Sequence, residues 1–196
     1  MLFVVNRDEG IITPWIMFRY VVIGSYVGFA TVGIFIYWYT SYSWAGDGHQ
    51  LINLTSLMNW SECPGWTDFH VAGYQPGADS CNYFLSGRAK ASTLSLTVLV
   101  LIEMFNAVNA LSEDQSILTV GIFSNPYLII ACSLSVLLHC VIVYIPFFSH
   151  IFSVTSLTIN DWLLVLAFSL PVFLIDEIIK TYARSRNAAR LRELNL

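Results

Sequence analysis

The chain has 196 residues, of which 56% are hydrophobic and 11% charged, with a mean hydropathy of +0.65. A soluble domain carries about 25% charged residues, so this composition specifies an integral membrane protein. A net charge of −4 with only nine Lys and Arg leaves no phosphate-tracking patch and excludes nucleic acid as a partner. Collagen, coiled-coil and disordered classes fall to the same numbers.

The opening MLFVVNRDEG has no basic start, a short apolar run and no small-residue cleavage site, so it does not read as a signal peptide. Membrane entry is then expected through the first spanning segment. A hydrocarbon core of about 30 Å takes roughly 20 helical residues. Residues 15–39 read as the first helix, with Arg19 near its start expected to snorkel to the interface. The second helix is read over 91–111, interrupted by Glu103. The third, 127–145, is bracketed by Pro126 and Pro146 in a stretch without Asp, Glu, Lys or Arg. The fourth, 160–181, is the weakest, with Pro171 as an expected kink. The fold class is therefore an all-α membrane protein, a single domain of four transmembrane helices with a long loop over 46–87 between the first two.

Four spans place both termini on one side. Five of the nine basic residues, Lys180, Arg184, Arg186, Arg190 and Arg192, lie in or near a tail over 182–196, and the positive-inside rule puts that side in the cytoplasm. Arg88 and Lys90 oppose the assignment but are outnumbered. Trp15, Trp38, Trp44 and Trp162 fall at helix ends, as interface anchors do. The 46–87 loop is then lumenal or external. It holds Cys63, Cys81 and two glycosylation sequons at Asn53 and Asn59, features that suit an oxidising compartment. A Cys63–Cys81 bridge would contribute about 3 kcal/mol by chain entropy; the alternative is two free thiols and two unused sequons. Cys132 and Cys140 stand about 12 Å apart along one helix and read as packing residues.

Glu103 lies past the middle of the second span, where an acid costs roughly 2.5–3.5 kcal/mol. Ser92, Ser95, Leu99, Glu103, Asn106, Ala107 and Ala110 share a mostly small or polar face, with Asn109 off it. A carboxylate with an amide one turn away offers hard oxygens to a cation such as Ca2+, which needs 6–8 of them, so further ligands must come from elsewhere. The alternative is a protonated Glu that only joins helices. Gly24, Gly28 and Gly33 form a small-residue surface for close helix approach. His139 reads as a hydrogen-bonded interior histidine. Asp176 and Glu177 read as end-of-helix partners of Lys180. His49, Cys63, His70 and Cys81 lack the paired spacing of a zinc site. No phosphate-binding loop, dinucleotide fingerprint or nucleophile elbow occurs, so nothing in this chain supports catalysis by itself.

The string Leu101-IEMFNAVNALSEDQS-Ile117 resembles the eighth transmembrane helix and following loop of the sarco/endoplasmic-reticulum calcium pumps, which are P-type ATPases. Phe18–Gly33 resembles their seventh helix and Ser169–Lys180 their tenth, in the same order, over about Arg7 to Arg184. The resemblance implies that Glu103, with Asn106 as a weaker candidate, ligates a transported Ca2+. It implies that Gly24, Gly28 and Gly33 pack against another helix of the pump, and that Cys63 and Cys81 form a lumenal disulfide. Such pumps use ATP and Mg2+ through a phosphorylation motif and cytoplasmic domains that this sequence does not contain. The implied partners are the remaining helices and cytoplasmic domains of such a pump, within the lipid bilayer of the endoplasmic reticulum. An alternative is a stand-alone, non-catalytic subunit among other membrane proteins, toward which the starting Met1 leans. Retention of Glu103 leans toward the pump.

Overall fold

A computed structural model describes residues 14–43, 49, 51–65, 80–111 and 125–194. It is helical throughout, with no strand among the described residues. Helix α1 runs Pro14–Thr40, α2 Leu54–Met58, α3 Ser80–Asn109, α4 Pro126–Tyr144, α5 Pro146–Phe152, α6 Ile159–Ser169 and α7 Pro171–Leu194; a 3-10 turn occupies Trp60–Gly65. Four stretches are long and apolar enough to cross a membrane: Trp15–Thr40, Gly87–Asn109, Pro126–Tyr144 and Ile159–Arg186. The last comprises α6 and the first part of α7, broken at Leu170 where Pro171 follows. The chain is a multi-pass membrane protein.

Local sequence accounts for the ends. Asn125 caps α4, its side chain accepting from the Leu128 amide at 3.2 Å, and Pro126 takes the first turn, where its missing N–H costs nothing. Thr158 and Asp161 form a reciprocal capping box at the start of α6. At the other end of α4, Pro146 opens the short α5, which closes on Ser153 in the left-handed region at φ 53°.

The second helix begins at Ser80, well before the expected 91, so the connecting loop is shorter than 46–87 and Cys81 lies in the first turn of α3. Arg88 and Lys90 conceal this extension from a hydropathy reading. Lys90 is nevertheless accommodated, its Nζ 2.5 Å from the buried Asp161 carboxylate and bonded to the Ser156 carbonyl at 2.9 Å. Cys63 and Cys81 are joined in a disulfide, as the sequence suggested. Trp44 and His70 lie outside the described residues.

α3 is the central element. Leu94, Val98 and Ile102, all fully buried, face α1, α4 and α6. Its Thr97 hydroxyl meets His139 Nε2 of α4 at 2.9 Å and donates to the Thr93 carbonyl, so His139 is the interior, hydrogen-bonded residue expected. Ser95 Oγ donates to the Thr31 carbonyl of α1 at 2.8 Å. At the end of the bundle bearing the disulfide, Trp38, Tyr39, Tyr83 and Phe84 form an aromatic plug. Gly87 sits against it so closely that a Cβ would lie 3.3 Å from the Trp38 ring.

Candidate functional site

Glu103 projects from the outside of the four-helix bundle. It is exposed, and among the described residues it makes neither an ion pair nor a hydrogen bond. Six residues, or about 9 Å of helix, separate it from the last residue of α3, Asn109, so the carboxylate stands at membrane depth. Leu96 and Leu99, 39% and 37% exposed, precede it along the same open strip, and Ala110 follows. One turn on, Asn106 has a buried Oδ1 without a hydrogen-bond partner. The face anticipated from periodicity is therefore divided: its Ser95 end is engaged with α1, and its Leu99–Ala110 end is open.

A carboxylate and an amide oxygen at this spacing are two oxygen donors for a hard cation and fall short of the 6–8 that Ca2+ takes. Among the described residues no three His, Cys, Asp or Glu side chains cluster, so the donor set is not completed within them. An acid at this depth is expected to face other helices or a water-filled path, not hydrocarbon.

A second open strip lies on α1. A Cβ built on Gly24 or Gly28 would meet nothing within 4 Å, so both face away from the rest of the bundle. Gly33 differs: its Cβ position is 3.6 Å from the Phe168 ring of α6, an intrachain contact. The small-residue surface thus serves an internal contact at one end and is unfilled at the other.

What holds α3 in place was only partly read. The Asp176–Lys180 pair is present at 2.7 Å, spaced i,i+4 on α7. Arg19 does not snorkel. Its Nη2 and Nε approach Asp176 Oδ1 at 2.7 and 2.8 Å, because a fully buried carboxylate at that level is a stronger partner than the interface. Lys180 Nζ also donates to the Asn109 carbonyl at 2.9 Å, tying the end of the Glu103 helix to α7. The 157-residue separation between Arg19 and Asp176 gave no sequence signal. The Thr158-x-x-Asp161 capping box was available as a signal for the start of α6. Cys132 and Cys140 are free thiols, partly exposed on α4. Asn53 and Asn59 are both exposed and flank α2.

Residues 4–182 match the family described as the C-terminus of cation transporting ATPases. The chain belongs to this family. Within it, the chain is 49% identical to the endoplasmic reticulum-type calcium-transporting ATPase 4 of Arabidopsis thaliana, over 94% of this chain and 19% of that protein. It is 47% identical to a calcium-transporting ATPase of Plasmodium falciparum, over 92% of this chain and 15% of the relative. Identity to the endoplasmic reticulum calcium ATPase srcA of Aspergillus fumigatus is 40%, covering 92% and 17%. The chain spans about a fifth or less of the length of these relatives. The ATPase region seen here is thus a four-span bundle whose described residues leave open a strip of α3 carrying the acid and a strip of α1 carrying the glycines.

Proposed function

We propose that this chain is the C-terminal membrane portion of a calcium-transporting P-type ATPase of the endoplasmic reticulum, contributing one intramembrane Ca2+ ligand and no catalytic group. The observation that carries the reading is Glu103: an exposed carboxylate at membrane depth, unpaired among the described residues, on the open side of a bundle whose buried acids Asp161 and Asp176 are paired. Other helices of the same pump close over the Leu99–Ala110 strip and supply the missing oxygens, with Asn106 Oδ1 as a second donor from α3. The open Gly24–Gly28 surface receives a closely approaching helix. ATP, Mg2+ and the phosphorylated group act through cytoplasmic domains elsewhere in the pump.

Both termini are assigned to the cytoplasm and the disulfide to the lumen. The basic end of α7 supports this; of the two charges that oppose it, Arg88 and Lys90, Lys90 is paired with Asp161. Asn53 and Asn59, exposed beside the disulfide, are the candidate glycan acceptors.

The decisive experiment replaces Glu103 by Gln in the full-length protein and measures the calcium dependence of ATP hydrolysis and of transport. Gln keeps shape and removes the charge, so the calcium concentration for half-maximal activity should rise by at least about tenfold. Full expression with an unchanged calcium dependence would refute the ligand role.

A further inference from the structure

Two short helices at the disulfide end, α2 and α5, carry exposed apolar side chains that no helix among the described residues covers. On α2, Leu54 and Met58 are 49% and 73% exposed and share a face at i,i+4, while Leu57 beside them packs on the core. Trp60, in the following turn, is also exposed. On α5, Phe147 and Ile151 are 68% and 59% exposed at the same spacing. Polar residues occupy the other sides: Asn53, Thr55 and Asn59 around α2, and Ser149 and His150 on α5. Residues 51–61 and 145–158 contain no Asp, Glu, Lys or Arg.

Their height along the bundle is fixed by hydrogen bonds to the spanning helices. The Ile52 amide donates to the Tyr39 carbonyl at 2.9 Å, one residue before the end of the first span at Thr40. The disulfide ties Cys63, in the 3-10 turn after α2, to Cys81 in the first turn of α3, six residues before the second span begins at Gly87. The segment after α5 sits deeper still. The Thr155 amide donates to Thr93 Oγ at 3.0 Å, and Thr93 is six residues, or about 9 Å, inside the second span, which begins at Gly87. Tyr144 donates to the Leu157 carbonyl at 2.8 Å and accepts from Trp162 Nε1 at 2.7 Å, an amphipathic aromatic pair of the kind found at membrane interfaces. The start of α2 is therefore level with the end of the first span, and the segment after α5 reaches inside the second.

We propose that α2 and α5 lie flat in the lipid headgroup layer as paired interfacial anchors, with Leu54, Met58, Phe147 and Ile151 in the acyl boundary and the polar sides in water. The occupant of this apolar surface is the bilayer itself. The face is uncharged and amphipathic, and an interfacial helix buries such a face about 5–10 Å into the boundary. The anchors hold both connecting segments of the disulfide end against the membrane. The proposal rests on the four spanning helices and is independent of the calcium reading.

The test places nitroxide labels on single cysteines at Met58, Asn59, His150 and Ile151 of the full-length protein reconstituted in bilayers, with its other free thiols replaced. A label at Leu134, mid-helix in α4, serves as an internal standard for a folded, inserted protein. Collision with oxygen, enriched in the bilayer, is compared with collision with a water-soluble nickel chelate. Labels at 58 and 151 should be relaxed chiefly by oxygen and those at 59 and 150 chiefly by the chelate. Chelate dominance at all four would place the helices in water and overturn the proposal. Protection of 58 and 151 from both reagents would show a protein partner over them and overturn it equally. A variant that fails to fold and insert, judged by elution as a monodisperse species before reconstitution, is replaced by Leu54→Cys for Met58→Cys, or Phe147→Cys for Ile151→Cys, which repeats the measurement on the same face.

Discussion

The two sides of α3 make opposite uses of the same apolar sequence. On one side Leu94, Val98 and Ile102 are fully buried, and Thr97 is bonded to His139. On the other, Leu96, Leu99 and Glu103 are exposed. Hydrophobicity does not separate them, since both sides carry large aliphatic residues. Charge does. On the closed side each buried acid has a cation: Asp176 has Arg19 and Lys180, and Asp161 has Lys90. On the open side the acid has none among the described residues. An acid at that depth without a partner in its own bundle is what the proposed function accounts for, by placing other helices of the pump over this side.

The comparison is broken most severely by unpairing the closed side. Asp176→Ala leaves Arg19 and Lys180 as buried cations without a counter-charge and frees the α7 contact with the end of α3. A loss of about 3–5 kcal/mol of stability is expected, against much less for a variant that also replaces Lys180 by Met. Thermal unfolding in detergent checks this; an unchanged midpoint for Asp176→Ala would mean that the network contributes nothing to the fold. Next comes the disulfide. Replacing Cys63 and Cys81 by Ser releases a crosslink spanning 18 residues, worth about 3 kcal/mol in the chain-entropy model. The variant should unfold at lower temperature than the parent under oxidising conditions and match it under full reduction. Gly87→Val is smaller again. Its side chain would press on Trp38 and Tyr39 at the aromatic plug, where overpacking costs about 1–3 kcal/mol.

What was legible in the sequence follows the same division. Prolines 126 and 146 mark the third apolar stretch, and α4 occupies Pro126–Tyr144 because Asn125 and Pro126 supply a cap and a first turn that need no preceding helix. The beginning of α3 was hidden, since Arg88 and Lys90 look like loop until Asp161, on a distant helix, is known to receive Lys90. Arg19 was misread for the same reason: its partner Asp176 is recognisable as a helix-end charge but not as a neighbour of α1. For the site, the residue was legible and its direction was not. Glu103 stands out as a lone acid in an apolar run, yet only the packing shows that it faces away from the other three spans. Gly33 and Gly28 look alike in sequence, and only the position of Phe168 separates an internal contact from an open one.

The smallest expected effect sharpens the comparison most. Gly28→Leu adds a large side chain where a Cβ meets nothing within 4 Å, so in this chain alone the change should alter stability by no more than about 0.5 kcal/mol. Gly33→Leu, on the same helix, drives the same side chain into Phe168 and should cost about 1–3 kcal/mol. In the full-length protein the ranking should reverse if a neighbouring helix lies against Gly24 and Gly28. Gly28→Leu would then be the more damaging change, because a small-residue surface that admits a close backbone cannot admit an isobutyl group. Unfolding of both variants, in this chain and in the full-length protein, gives the four values required. Equal effects of Gly28→Leu in the two settings would mean that this strip faces lipid and that, of these two strips, the one bearing Glu103 is where the remainder of the pump closes.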